Sequence, residues 1–222
     1  MPSASRPTLS QSLTAAMDND PLFGGAGEPV DPGLLVTPPP GRRARVSVIS
    51  LAGLPGLEQR QSFVSRLQME LFVWFKRHPA QGRPLGALFV MDEAQTFAPA
   101  AGGASVSTRS TVMLASQARK YGLGLVFATQ APKGLHNQIP GNCATQFFGL
   151  LNAPIQIGAA REMAQFKGGG DVPDISRLGS GEFYVAGEGG GFAKARVPMC
   201  LTHHPKAPLT TEEVVARSRR HT

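Results

Sequence analysis

Two acidic residues directly follow an apolar run near the middle of the chain. Residues 87–91 read Ala-Leu-Phe-Val-Met and lead into Asp92 and Glu93. Such a run predicts a central β-strand covered on both faces, and ligands of open α/β sheets bind at the carboxyl ends of strands. Because neighbouring strand residues point to opposite faces, one carboxylate could hold Mg²⁺ while the other faces an attacking water. We assign Asp92 to the metal and Glu93 to the general base; acids that merely end a strand at a turn are the alternative.

A second apolar run ends in a hydroxyl and an amide. Residues 123–128 read Leu-Gly-Leu-Val-Phe-Ala, and Thr129 and Gln130 follow. A neutral amide at a strand end can hydrogen-bond both a γ-phosphate oxygen and a water without repelling the anion. We therefore predict that Gln130 is a catalytic sensor. We also predict that Asp92, Thr129 and Gln130 bind a nucleoside triphosphate.

The elements that must position these residues follow from periodicity and breakers. Apolar residues four apart predict an amphipathic helix over 57–78, and a second helix is expected over 108–121, capped by Ser107 or Thr108 and ended by Gly122. The other expected elements are strands over 45–51 and 145–151, a helix over 157–167 and a hairpin of 182–186 with 192–197. Strands that alternate with helices indicate an α/β fold with a mainly parallel sheet and a C-terminal β-hairpin.

Composition sets broad limits on the class of protein. The 222 residues are 41% hydrophobic and 17% charged, which excludes a chain that is disordered throughout. The net charge of +7 favours an anionic partner such as nucleic acid or nucleotide phosphate, with simple solubility as the alternative.

Cysteine usage and hydropathy bear on the compartment. Cys143 and Cys200 are the only cysteines, too few for a disulfide framework or a four-cysteine zinc site. No apolar run approaches the ~18 residues of a membrane helix, and the first residues lack the apolar stretch of a signal peptide. We expect a cytoplasmic protein without a membrane partner.

Three segments together resemble a known family of motors. Residues 88–94 (LFVMDEA), 118–124 (ARKYGLG) and 127–132 (FATQAP) are similar to segments of the HerA/FtsK group of hexameric DNA-pumping P-loop ATPases. The similarity is greatest to HerA-like helicases and translocases and covers roughly residues 45–201. It implies that the first segment is the Walker B strand, that the second precedes the sensor strand and that the third carries the sensor glutamine.

The resemblance also implies a fold, cofactors and partners. It implies a partial P-loop NTPase (RecA-like) domain that uses ATP and Mg²⁺, a homo-hexameric ring, DNA as partner and the partner nuclease that many such pumps have. In this family a basic residue before the sensor strand acts in trans as an arginine finger, and that role falls to Arg119. Favourable placement of a cation at a helix carboxyl end is an alternative explanation for Arg119.

The sequence departs from the family at the phosphate-binding loop. A Gly-x-x-x-x-Gly-Lys-Ser/Thr segment is required to wrap the phosphates, yet no lysine of the chain is followed by Ser or Thr. We therefore expect the carboxyl-terminal portion of a longer ATPase. Its expected parts are a flexible arm or linker with a short helix (1–41), the RecA-like ATPase portion with the Walker B and sensor strands (42–204) and a basic tail (205–222).

Three functional hypotheses remain open from the sequence. The first is a motor-domain portion that supplies Asp92, Glu93, Gln130 and Arg119 to ATP hydrolysis but is inactive, or nearly so, alone. The second is a non-catalytic pseudo-ATPase that binds nucleic acid or protein or serves assembly. The third is a metal hydrolase built on the acid pair and the histidines.

Overall fold

The computed structural model describes residues 10–12, 14–15, 29–83, 85–101, 105–187, 191–202 and 207–218. The chain divides into two compact units, one of residues 1–78 with 207–222 and one of residues 79–206. The helices are α1 (Pro32–Val36), α2 (Leu57–Arg77), α3 (Val106–Gln117), α4 (Gln138–Asn142), α5 (Pro154–Gly168) and α6 (Thr211–Ser218). The strands are β1 (Ala87–Met91), β2 (Leu123–Phe127), β3 (Thr145–Phe148), β4 (Glu182–Gly187) and β5 (Gly191–Arg196).

Helix α2 is the main element of the first unit, and it confirms the amphipathic helix predicted for 57–78. The Gln59 side chain accepts a hydrogen bond from the Gly56 N–H at 3.3 Å, which satisfies a backbone donor beside the helix start. Burial of its apolar face contributes about 1.5–3 kcal/mol for each fully buried large side chain. The buried apolar residues are Val64, Leu67, Leu71, Phe72 and Phe75.

The strand predicted for residues 45–51 is wrong. These residues have no regular secondary structure, and Val46 and Val48 are 87% and 88% exposed. Within this segment Ser47 Oγ donates to the Leu35 carbonyl at 2.7 Å. Alternating β-branched residues give a strand only where a neighbouring strand pairs with them, and none of the strands in the described residues does so.

The described ends of the chain add short helical segments. Residues 10–12 and 14–15 are helical, within the short helix predicted for the arm. The predicted basic tail contains α6, a helix that was not predicted from the sequence. Residues 219–222 of the tail lie outside the described residues. The division into an arm, an ATPase portion and a tail stays a prediction.

Strands β1 and β2 form a parallel pair in the second unit. Their register runs without offset from Ala87 opposite Leu123 to Met91 opposite Phe127. The chain enters β2 through Gly122, whose φ of +81° ends the preceding 3₁₀ turn and suits glycine. Its carbonyl oxygen accepts a hydrogen bond from the Gly86 N–H at 2.7 Å, so the same residue aligns the start of both strands.

One face of this parallel pair is open to solvent, so the expectation that residues 87–91 are covered on both faces is wrong. Leu88 is 54% exposed and Val90 57% exposed, and Val126 beside them on β2 is 42% exposed. The alternate residues turn to the other side, where Met91 is 5% exposed. The continuous apolar run correctly predicted the strand but not its burial.

Strands β3, β4 and β5 form a separate antiparallel sheet. The hairpin of β4 and β5 confirms the predicted hairpin, but the assignment of residues 145–151 to the parallel sheet is wrong. Strand β3 pairs antiparallel with β4, with Phe148 opposite Tyr184. The core of this region contains Phe148, Ala160, Ala164, Val172, Ile175, Leu178, Tyr184 and Ala186.

Helix α3 begins two residues earlier than predicted. Its N-cap is Ser105, whose hydroxyl oxygen accepts from the Thr108 N–H at 3.3 Å, so the predicted caps at Ser107 and Thr108 are wrong. Both of those residues are buried, and Ser107 Oγ instead donates to the Phe97 carbonyl at 2.7 Å.

No helix in the described part of the chain has the length and hydropathy needed to cross a membrane.

A charged cluster links the β-hairpin to the loop before it. The Tyr184 hydroxyl and the Lys194 ammonium, the latter at 2.9 Å, both donate to the Asp174 carboxylate. The hydrogen bond from Tyr184, followed by that from Lys194, lowers the pKa of Asp174 below its usual range. The same contacts with Asp174 raise the pKa of Tyr184 and of Lys194.

This cluster predicts how stability changes with pH. The contribution of Asp174 is present above the unfolded pKa of 3.8 and is lost as the pH falls through the lowered folded pKa. The contributions of Tyr184 and Lys194 are also stabilising but depend on pH in the opposite direction, since they are lost as the pH rises through the raised pKa values of these groups. We expect Asp174→Asn to lower the free energy of unfolding at pH 7 and to flatten its decline below pH ~4, measured by urea unfolding across pH. An equally steep acid decline in the variant would contradict this account.

Candidate functional site

The carboxyl ends of β1 and β2 are joined by backbone hydrogen bonds. The Ala128 N–H donates to the Met91 carbonyl and the Ala94 N–H donates to the Ala128 carbonyl, each at 2.9 Å. The two segments that leave the strands therefore stay together beyond the sheet. This brings residues 92–95 and residues 129–131 to one edge.

Glu93 has a backbone conformation that non-glycine residues seldom adopt. Its φ of 47° and ψ of 45° lie in the left-handed region, which costs an ordinary residue about 1–2 kcal/mol. A 3₁₀ turn, Ala94–Thr96, follows at once, and the Glu93 N–H donates to Asp92 Oδ1 at 3.0 Å. Backbone strain of this kind is concentrated at functional sites.

Glu93 and Gln130 are in direct contact. Gln130 Nε2 donates to Glu93 Oε1 at 2.6 Å. The expectation that the amide after the second strand lies beside the acid pair after the first is thus met in the geometry. The catalytic roles assigned to the two residues stay predictions.

Gln95 is a member of this cluster that the sequence analysis missed. Gln95 Nε2 donates to Glu93 Oε2 at 2.5 Å, and Gln95 Oε1 accepts from the Thr129 hydroxyl at 2.6 Å. Thr129 Oγ1 in turn accepts from the Ala131 N–H at 3.0 Å. The sequence does place a third polar side chain shortly after the same strand. Its spacing from Glu93 predicts a contact only when the turn between the two residues is known.

Gln156, in the first turn of α5, is a second residue that the sequence analysis did not single out. Its Nε2 donates to the backbone carbonyl of Gln130 at 2.7 Å. This contact connects α5 to the segment that carries the predicted sensor. Nothing in the sequence relates position 156 to position 130.

Asp92 is exposed, and the bond from the Glu93 N–H engages its Oδ1. Within the described residues no group of three or more His, Cys, Asp or Glu side chains could hold a metal. Mg²⁺ is commonly bound by one or two carboxylates, with phosphate oxygens and water completing its shell. A single exposed carboxylate at the strand end fits that kind of site, so Asp92 is the residue that could hold the ion.

Arg119 lies elsewhere in the chain. It is exposed on the 3₁₀ turn Ala118–Tyr121, which precedes β2, whereas Gln130 follows β2. A strand of five residues spans about 16 Å, so Arg119 and Gln130 are at opposite ends of the sheet. The structure does not bring Arg119 to the acid pair of its own chain.

Comparison of the sequence with known proteins finds no match among protein-family profiles and no match among curated proteins. Comparison of the fold with solved structures does find similar chains. One is the genome packaging NTPase B204 from Sulfolobus turreted icosahedral virus 2 in complex with ATP-gammaS, at 12% identity and a TM-score of 0.50, covering 78% of this chain and 74% of that chain. The same NTPase in complex with AMP aligns at 13% identity with a TM-score of 0.47, and the alignment covers 63% of each chain.

At these identities the likeness concerns the fold. The α/β fold of this chain, with its parallel pair of strands and its antiparallel sheet, is similar to that of the genome packaging NTPase. This confirms the predicted α/β fold class. The chain shares its fold with that NTPase.

Proposed function

We propose that this chain is the portion of a HerA/FtsK-like, ATP-driven DNA translocase or helicase that supplies the acid pair and the sensor glutamine for ATP hydrolysis. The observation that carries the proposal is the 2.6 Å hydrogen bond between Gln130 Nε2 and Glu93 Oε1. It places an amide and a carboxylate together at the edge where α/β sheets bind ligands. The fold that the chain shares with the viral packaging NTPase, whose structure holds a bound nucleotide analogue, supports the same activity class.

In the proposed reaction each residue has a separate task. Glu93 accepts the proton of the water that attacks the γ-phosphate, and Gln130 contacts that phosphate and the water. Asp92 holds Mg²⁺, which supplies charge neutralisation at the phosphate oxygens when bound. Thr129 completes the nucleotide-binding set beside Gln130.

The proposal requires contributions from outside these 222 residues. The cradle for the phosphates has to come from a Gly-x-x-x-x-Gly-Lys-Ser/Thr loop that this sequence does not contain. On the family resemblance we assign Arg119 to the nucleotide of a neighbouring subunit; its place at the other end of β2 from Gln130 keeps it away from the acid pair of its own chain. On the same family resemblance we propose a homo-hexameric ring around DNA, with a nuclease as a further partner.

The metal assignment of Asp92 can be tested in the full natural protein that contains this chain. Asparagine keeps the oxygen that accepts from the Glu93 N–H but removes the negative charge. We expect Asp92→Asn to raise the Mg²⁺ concentration for half-maximal ATP hydrolysis at least about tenfold, since a nearby charge pair is worth more than ~1.4 kcal/mol. The measurement is a Mg²⁺ titration of steady-state hydrolysis.

Asp171→Asn is the matched control. It makes the same chemical change at an exposed carboxylate that lies 3.6 Å from Arg161. An unchanged Mg²⁺ requirement in Asp92→Asn would overturn the metal assignment. A wild-type protein that binds DNA but neither binds nor hydrolyses ATP would favour the pseudo-ATPase module instead.

A further inference from the structure

Both carboxylate oxygens of Glu93 are engaged by side-chain amides. Gln130 Nε2 lies 2.6 Å from Oε1 and Gln95 Nε2 lies 2.5 Å from Oε2. A carboxylate in this arrangement is held in one orientation by two charge-assisted hydrogen bonds. Each carboxylate oxygen can accept a second hydrogen bond, but an oxygen that loses its amide donor is the stronger base toward a water, because the amide stabilises the negative charge.

The two amides are held very differently. Gln95 is half-buried, and both ends of its amide are bound, the nitrogen to Glu93 and the oxygen to Thr129. Gln130 is exposed at the edge of the sheet. An exposed side chain is free to turn toward a ligand, whereas a half-buried amide bound at both ends is not.

The bonds behind Gln95 form a directed chain. The Ala131 N–H donates to the Thr129 hydroxyl, which donates to Gln95 Oε1, while Gln95 Nε2 donates to Glu93. Since the Glu93 carboxylate can only accept, Gln95 presents its Nε2 to it, and the remaining Oε1 accepts the Thr129 proton. Hydrogen bonds in series polarise and strengthen one another.

We propose that Gln95 is a positioning residue that keeps its hold on Glu93 Oε2 throughout turnover, while Gln130 releases Oε1 when it turns to the terminal phosphate. The inference rests on the proposed function and assigns different tasks to the two glutamines that contact Glu93. Gln130 uncovers the basic oxygen only when a nucleotide triphosphate is present. Gln95, backed by Thr129, keeps that oxygen aimed at the water.

Steady-state kinetics of the full natural protein tests the catalytic consequence. We expect Gln95→Met, which keeps the length of the side chain without its amide, to lower kcat about tenfold and leave the KM for ATP within about twofold. Thr129→Val should lower kcat about threefold, and Thr129→Ser, which restores the hydroxyl, should return it to the wild-type value. The double variant Gln95→Met with Thr129→Val should be no slower than Gln95→Met, because both changes break one chain of bonds.

A spectroscopic readout tests the hydrogen-bonded chain without turnover. In the 222-residue chain we expect the side-chain NH₂ signals of Gln95 in ¹⁵N–¹H spectra to move on Thr129→Val and on Glu93→Gln. The signals of Gln146, whose Nε2 donates to the Pro140 carbonyl at 2.9 Å, should stay in place and serve as the internal control. Gln95 signals that do not respond to either change would overturn the inference.

The outcomes separate this inference from the proposed function. If the wild-type protein hydrolyses ATP and Glu93→Gln abolishes the activity, but Gln95→Met leaves kcat unchanged, the positioning role is wrong and the proposed function stands. If Gln95→Met raises KM instead of lowering kcat, Gln95 binds nucleotide and the role is again wrong. If the wild-type protein turns over no ATP, the proposed function fails and the positioning role fails with it.

Discussion

Glu93→Gln is expected to lower the kcat of ATP hydrolysis by about 10²–10⁴-fold in the full natural protein, the usual contribution of a general base. An amide does not take up the proton of the attacking water. It also offers a single acceptor oxygen, where the Glu93 carboxylate now accepts from both Gln95 and Gln130. Nucleotide binding should persist, because the substitution keeps the size of the side chain and removes no proposed phosphate contact.

Single-turnover hydrolysis and equilibrium nucleotide binding, measured on the same preparation, check this prediction. Glu58→Gln is the matched control, since it makes the same change at an exposed acid in the first turn of α2. Hydrolysis that continues undiminished in Glu93→Gln would show that another group takes the proton. Loss of binding together with hydrolysis would assign Glu93 to the substrate and not to the chemical step.

Gly122→Ala is expected to lower the free energy of unfolding by about 2–5 kcal/mol, a large share of the 5–15 kcal/mol of a typical domain. Two costs add. The φ of +81° costs an alanine about 1–2 kcal/mol. Its β-carbon would also lie 2.3 Å from the Ala80 Cβ, and overpacking of this kind typically costs 1–3 kcal/mol.

The chain offers a control that separates these costs. Gly82 has a φ of +78°, but a β-carbon placed there meets nothing within 4 Å, so Gly82→Ala should cost only the backbone term. In the double variant Ala80→Gly with Gly122→Ala the clash is removed, and much of the loss should be recovered. Urea unfolding of the four proteins measures both terms. Equal losses in Gly82→Ala and Gly122→Ala would contradict the role of the close approach to Ala80.

The proximity of the polar side chains at the strand ends could be predicted from the sequence because it depends on local signals. An apolar run followed by acids, and another followed by an amide, lead to one edge in any parallel pair. The register without offset and the hydrogen bonds of Ala128 and Ala94 beyond the strands bring Glu93 and Gln130 to the same edge. Gln95 could not be found this way, because its position depends on the left-handed backbone of Glu93 and the turn that follows.

The failures have a common physical origin in pairing and burial, which are set by distant residues. The segment 45–51 has the composition of a strand but no strand paired with it among the described residues. The residues of β3 match a parallel or an antiparallel strand equally well, and the pairing with β4 decides between them. In the same way, the apolar side chains of Leu88 and Val90 predict a strand, but their exposure depends on whether another part of the protein packs over them.

The register of β1 and β2 also sets where the chain tolerates changes of length. Inserting or deleting one residue inside either strand moves everything beyond it by about 3.3 Å and turns every strand side chain beyond it to the opposite face. That step exceeds the 2.6 Å bonds that join Glu93 to Gln130 and Gln95 to Thr129. Length variation among natural or engineered versions of this protein should therefore be confined to the segments between the strands.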